Sequence, residues 1–210
     1  LLPALVNAHT HLELSWMAGL VPPAESMNDW IRTLMRLRRA GPPTESGARE
    51  AMRLAAAGMR ASGTALVGDI TNTLTSPSVL AEAGLGGVIF HELIGFNALD
   101  PAGQVRDAWA KENDVAHAPY SVSPALFAEI ARRRRDTPLS VHLGESPEEI
   151  EFLRTGLGPI RDMLEELGVW SGEWQVPACD PVEYIHRLGY LQRGLLAVHA
   201  VHLTDDALGR

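Results

Sequence analysis

Residues Leu2–Ser15 read LPALVNAHTHLELS, and this stretch decides the fold. A short apolar run, Ala4–Ala8, leads directly into His9-Thr10-His11. Such a run predicts a buried strand. On an extended chain, residues two apart point to the same face, so the spacing predicts that both imidazoles share one side. They fall at the carboxyl end of the predicted strand, where parallel barrels place their active sites. Imidazole is a borderline ligand suited to zinc, nickel or iron. A lone His-x-His also occurs as two polar turn residues, so the metal reading needs support from elsewhere in the chain.

Working outward, the same strand-then-helix grammar recurs. Further strands are predicted at Thr64–Asp69, Gly87–His91, Val115–Ala118, Leu139–His142 and Leu195–His199. Helices are predicted over 26–39, 46–61, 77–83, 101–112, 124–135, 147–153, 159–167 and 181–187, several opening on proline, which suits a first helical turn. In the first of these, Trp30, Leu34 and Leu37 share a face, and Trp30 reads as core. The alternation predicts a parallel sheet with helices outside, and the continuous apolar strands predict that both faces are covered. The fold class is therefore α/β. The architecture is a (β/α)₈ TIM-type barrel of the metal-dependent hydrolase kind, present as an incomplete N-terminal portion of six strand–helix units. A closed barrel needs eight such units, in typically about 250 residues. Thr204–Leu208 reads as a capped helix start, with Asp205 and Asp206 in its first turn. A doubly wound sheet also accommodates six strands, but no Gly-x-Gly-x-x-Gly loop follows any of them. Gly41-Pro42-Pro43 and Gly156–Pro159 read as connections within one domain covering 1–210.

Composition narrows the function classes. The 210 residues are 46% hydrophobic and 21% charged, as in ordinary globular domains, and the formal net charge is -8. An acidic balance disfavours nucleic acid and anionic membranes as partners. The basic run Arg132–Arg135 reads as a solvated helix end. A single cysteine, Cys179, excludes a disulfide framework within the chain. No apolar run approaches the roughly 20 residues that span a bilayer, and Leu1–Val6 lacks the basic leader of a signal peptide. The expected location is cytoplasmic. The chain does not begin with Met, so the expectation is that something precedes Leu1.

The placement of the eight histidines carries the most information. His142 ends the predicted fifth strand and His199 the sixth. Three strands thus deliver histidine at the same end, which scattered core histidines would not do. His9, His11 and His142 form a natural three-ligand set. His199 is either a fourth ligand or a group that polarises substrate. Glu145, three residues past His142, is a candidate to move a proton between water and leaving group; its plain alternative is a place in the capping region before Ser146-Pro147. His117 follows the fourth strand, well placed to touch substrate. Asp69 is a candidate to orient a histidine or to pair with backbone, and His91 and Glu92 share that ambiguity. His202 reads as closing a turn, His186 as a surface or packing residue, and Trp16 and Met17 as walls of an apolar pocket.

These residues bring the chain to a known family. In LPALVNAHTHLELS (2–15), GTALVGDITNT (63–73), HAPYSVSP (117–124), HLGESPEE (142–149) and AVHAVHLTDDAL (197–208) it resembles the amidohydrolase superfamily. The resemblance lies with the branch of chlorohydrolase-like proteins and nucleoside or nucleobase deaminases, and HLELS, FHELIGF (90–96) and HAPYSVSP are most similar to aminodeoxyfutalosine deaminase-like proteins. The resemblance implies His9, His11 and His142 as ligands of one divalent metal ion, with zinc first and iron or nickel as alternatives. It implies Glu145 as proton shuttle, His199 as the group over the attacking water, and His117, Glu13 and Trp16 as substrate contacts. The family's last ligand, an aspartate after the eighth strand, and its small β-sandwich domain would lie outside residues 1–210. The expectation is that the chain is a portion of a longer enzyme. No lysine ends the fourth strand to bridge a metal pair, since Lys111 falls in the preceding helix.

The implied reaction is hydrolytic deamination of an amino-substituted purine nucleoside or related heteroaromatic, with hydroxide supplied by the metal attacking the amino-bearing ring carbon. The partner is then a small-molecule substrate, with a homo-oligomer left open. Two other readings stand beside it. One is a triazine-type chlorohydrolase or alkylamine hydrolase using the same machinery. The other is a non-catalytic metal-binding or interaction module, which would leave Glu145 without a role.

Overall fold

The computed structural model describes residues 2–109, 113–134 and 136–209, with no side-chain description for 107–109. Lys111 and Arg135 lie outside the described residues. Six strand–helix units run through the chain in the order expected of a partial (β/α) barrel. They fall into two compact units, Leu1–His91 and Glu92–Arg210.

In the first unit, β1 (Leu5–Thr10) pairs in parallel with β2 (Thr64–Thr71), and β2 with β3 (Gly86–Leu93), whose last two residues belong to the second unit. The approach of β1 to β2 is close. A Cβ on Gly68 would sit 2.2 Å from the Ala8 carbonyl oxygen, so only glycine fits there. A 3₁₀ helix, Leu12–Met17, follows β1. Helices α1 (Met27–Ala40) and α2 (Glu45–Ala61) start at Ser26 and Thr44, whose side chains accept the Asp29 and Gly47 amides. Helix α3 (Ser76–Glu82) follows β2. Leu12, Met52, Ala56, Val67, Val79, Leu80 and Leu85 form the core of this unit.

Two sequence expectations fail here. Strand β1 is not buried on both faces: Leu5 is 59% and Val6 63% exposed. Within its unit β1 pairs with β2 alone, so the apolar residues of this edge strand are only partly covered. Trp30 is not core either, at 39% exposure. The buried residue of α1 is its neighbour Asn28, and the helix leaves its apolar face half covered.

The second unit contains α4 (Pro101–Trp109), β4 (Asn113–Ala116), α5 (Pro124–Arg133), β5 (Leu139–Leu143), α6 (Pro147–Thr155), α7 (Pro159–Glu166), α8 (Pro181–Arg187), β6 (Leu195–His199) and α9 (Asp205–Leu208). Proline opens five of its helices, and Ser123, Ser146, Asp180 and Thr204 cap α5, α6, α8 and α9 through their side-chain oxygens. All five residues of β5 are buried, and β5 pairs in parallel with β6 in unbroken register. Strands β4 and β5 are tied differently. The Tyr190 hydroxyl accepts the Ala116 amide at 2.8 Å and donates to the Ser140 carbonyl at 3.0 Å, bridging the two strands with a side chain. Phe96, Phe152, Trp170 and Trp174 pack as an aromatic cluster, with the Phe152 and Trp174 rings stacked 4.6 Å apart. Among the described residues, no helix is long and apolar enough to cross a membrane.

Candidate active site

In the first unit, the strand geometry brings the His9 and His11 rings together. Their centroids are 4.9 Å apart and nearly perpendicular, and both residues are half-buried. The chain beyond them is held by two carboxylates. Asp69, fully buried at the end of β2, accepts the Leu12 amide at 2.9 Å and the Ser76 hydroxyl. Of its two anticipated roles, it therefore fills the pairing with backbone. Burial pushes its carboxyl up to about 6, against the pull of those two hydrogen bonds and with help from the Glu13 charge.

Glu13 is also buried. Its carboxylate accepts the hydroxyls of Thr71 and Thr73, each at 2.6 Å, and the amides of Asn72 and Thr73 at 3.1 and 3.0 Å. Burial pushes this carboxyl up, but the four hydrogen bonds outweigh it and hold the group below its ordinary value. Glu13, Trp16, Met17, Arg38, Met52 and Thr73 line a cavity of about 540 Å³ within the unit. Trp16 and Met17 thus wall a pocket, as their spacing after the histidines suggests.

In the second unit, the carboxyl ends of β4, β5 and β6 converge. His142, the next-to-last residue of β5, has Nδ1 3.0 Å from His199 Nε2, and the two rings stack at 5.1 Å. His199 Nε2 is also 3.2 Å from Glu145 Oε1. The Glu92 carboxylate, at the end of β3, lies 3.7 Å from His142 Nε2. The His117 ring is 5.0 Å from that of His142, and its Nδ1 is 2.5 Å from the Ser121 hydroxyl. His199 and Ala200 both adopt left-handed backbone, with φ of 74° and 55°. For non-glycine residues this is strained, and such strain is characteristic of functional turns.

Glu145 is positioned by its loop. Gly144 turns with φ of 61°, and a Cβ there would meet Leu203 Cδ2 at 2.6 Å. Ser146, not Glu145, caps α6. Tyr120 Oη donates to Glu145 Oε2 at 3.5 Å. Burial raises the Tyr120 phenol well above its ordinary range, and the charges of Glu145, Glu149 and Glu92 add to this, so it remains a donor. His202 closes the turn after β6 by donating its amide to the Gly144 carbonyl at 2.9 Å. His186 is exposed on α8.

Two groups of potential ligands share His142 in this unit: His142, Glu145 and His199, and Glu92, His117 and His142. In each, the ligand atoms lie within 4.8 Å of one another. Imidazole nitrogens mixed with carboxylate oxygens fit a divalent transition ion. Sequence reasoning singled out all of these residues but left Glu92 ambiguous, and it missed Tyr120 and Glu149. Tyr120 lies inside HAPYSVSP, where no spacing announces its partner; Glu149 lies inside HLGESPEE, three residues after Ser146, a capping-box spacing that could have pointed to nearby backbone amides.

Comparison with known proteins agrees with this architecture. The aminodeoxyfutalosine deaminase of Deinococcus radiodurans is 29% identical, over 99% of this chain and 53% of its own length. An adenosine deaminase of Helicobacter pylori is 30% identical over 75% of this chain and 41% of its own. The chain spans about half the length of the curated relatives it matches. A crystal structure of Helicobacter pylori aminofutalosine deaminase in complex with methylthio-coformycin superposes with a TM-score of 0.78 at 24% identity, over 98% of this chain and 52% of that one, and shows the same fold. Residues 1–208 match the sequence profile of the amidohydrolase family, and with histidines and carboxylates gathered at its strand ends, the chain belongs to that family.

Proposed function

We propose that the protein carrying this chain is a metal-dependent hydrolytic deaminase of an amino-substituted purine nucleoside or related heteroaromatic, of the aminodeoxyfutalosine kind. The observation that carries this reading is the contact of Glu145 Oε1 with His199 Nε2 at 3.2 Å, beside His142. It pairs a carboxylate able to move a proton with an imidazole able to stabilise charge, next to nitrogen ligands. The names of the relatives support the substrate class.

His9, His11 and His142 are the proposed ligands of one divalent ion, zinc first, with iron or nickel as alternatives. When bound, such an ion lowers the pKa of water and so makes a nucleophile available at neutral pH. Glu145 accepts a proton from the attacking water and delivers it to the ring nitrogen next to the amino-bearing carbon. Tyr120 donates to the second oxygen of Glu145 and keeps the carboxylate oriented. His199 steadies the developing charge. The second proton of the water goes to the amino group, ammonia leaves, and the ring keeps the oxygen. His117, Glu13 and Trp16 are the proposed substrate contacts, and the proposed location is the cytoplasm.

The test is ammonia release by the metal-loaded, full-length protein on purine nucleosides including aminodeoxyfutalosine, adenosine and 5-methylthioadenosine. Release on one of them, with metal content lost in His142→Ala, is the expected result. Bound metal with no release from any of them would sink the deaminase reading.

A further inference from the structure

Glu149 has no part in the chemistry described so far, and its environment is unusual for its position. It is the third residue of α6, with Ser146 as N-cap and the Ser146 hydroxyl accepting the Glu149 amide at 3.3 Å. Ser-x-x-Glu at a helix start is the capping-box pattern, in which the glutamate side chain returns to the amide of the cap residue itself. Here its two oxygens go further back. Oε1 accepts the Gly144 amide at 3.1 Å and Oε2 accepts the Glu145 amide at 3.0 Å. One carboxylate takes both main-chain amides of the segment that leaves β5.

The side chain is fully buried. Burial pushes its carboxyl up to about 7, against the pull of the two amides and with a contribution from the Glu145 charge. A helix start needs no buried carboxylate, since Ser146 already caps α6 and further orphan amides can be satisfied by water. What the burial accomplishes is local. Gly144 is in the left-handed region, its carbonyl is taken by His202, and its amide is taken by Glu149. The loop is gripped from both sides at the one residue between β5 and Glu145.

We propose that Glu149 is a positioning residue for Glu145, holding the Gly144–Glu145 main chain so that the Glu145 carboxylate stays within reach of His199. This rests on the reading of Glu145 as the proton carrier. A group that moves protons works only within a few tenths of an ångström of its partner, so a slackened loop costs rate and leaves substrate binding largely intact.

The test uses the full-length, metal-loaded protein as wild type, Glu149→Gln, Glu149→Ala, Glu145→Gln and the double variant Glu145→Gln/Glu149→Gln. Two readouts are taken: amide exchange at Gly144 and Glu145 relative to Leu139–Leu143, and kcat and KM for ammonia release. The glutamine variant keeps the shape and one acceptor, so it guards against failure of the alanine variant to fold. Expected are faster exchange at 144–145 with β5 unchanged, and kcat lower by roughly 10- to 100-fold with KM within about 2-fold. In the Glu145→Gln background, Glu149→Gln should change kcat by less than about 3-fold, because its effect passes through Glu145. An equal loss of kcat in both backgrounds, or wild-type exchange at 144–145 in Glu149→Gln, overturns the proposal. If the wild type releases no ammonia from any purine, the deaminase reading fails separately, and the exchange result alone supports or overturns the clamp.

Discussion

His199 Nε2 lies 3.2 Å from Glu145 Oε1, joining the last residue of β6 to the loop that follows β5. The contact depends on two backbone turns in the left-handed region, at Gly144 and at His199. Glycine adopts this conformation at no steric cost; histidine does not.

Glu145→Gln is expected to lower kcat by about 10²- to 10⁴-fold with KM nearly unchanged, because the amide keeps the shape but cannot take the proton. Steady-state ammonia release checks this. A loss confined to KM would show that Glu145 binds substrate and does not carry the proton.

Tyr190→Phe should destabilise the protein by about 2–4 kcal/mol, since it strands the buried Ala116 amide and Ser140 carbonyl that one hydroxyl now serves. Urea unfolding measures the difference. A change under about 0.5 kcal/mol would mean that water or a direct β4–β5 bond replaces the bridge.

Glu13→Gln should lower stability by about 1–3 kcal/mol at neutral pH, because the carboxylate accepts four donors that an amide cannot all satisfy. The folded carboxyl titrates below its ordinary value of 4.5. Its contribution is therefore present above that value and is lost as pH falls through the lower folded value. Urea midpoints of wild type and Glu13→Gln should converge in acid and separate above pH 4.5. A constant gap across that range would contradict the assignment.

Asp69 acts in the opposite direction. Its folded carboxyl sits at about 6 against an ordinary 3.8. The stability tied to its protonated form is full below 3.8 and is lost as pH rises through about 6. The loss is on the order of 3 kcal/mol. Asp69→Asn still accepts the Leu12 amide and no longer ionises, so it should remove the decline across that interval. An unchanged slope in the variant would show that Asp69 titrates near its ordinary value.

Much of the fold was legible in the residues. The apolar runs at Thr64–Asp69, Leu139–His142 and Leu195–His199, the proline-led helices and the Thr204 cap are local signals, and the structure keeps them, with the ends of those three strands shifted by at most two residues. The gathering of His142, Glu145 and His199 was also legible, because strand ends in a parallel α/β chain face the same way. Leu5, Val6 and Trp30 misled, because apolarity alone does not say whether a neighbour covers it.

The sequence by itself determined the order of elements, the strand ends at which histidines and carboxylates gather, and the residue types available there. Those follow from periodicity and from the handedness of strand–helix units, both of which act over short stretches of chain. Only the tertiary structure decided that Asp69 holds backbone, that Tyr190 joins β4 to β5, and that Tyr120 reaches Glu145. Each depends on which amide or oxygen lies across a loop or strand from a side chain, and such long-range pairing leaves no periodic trace in the chain.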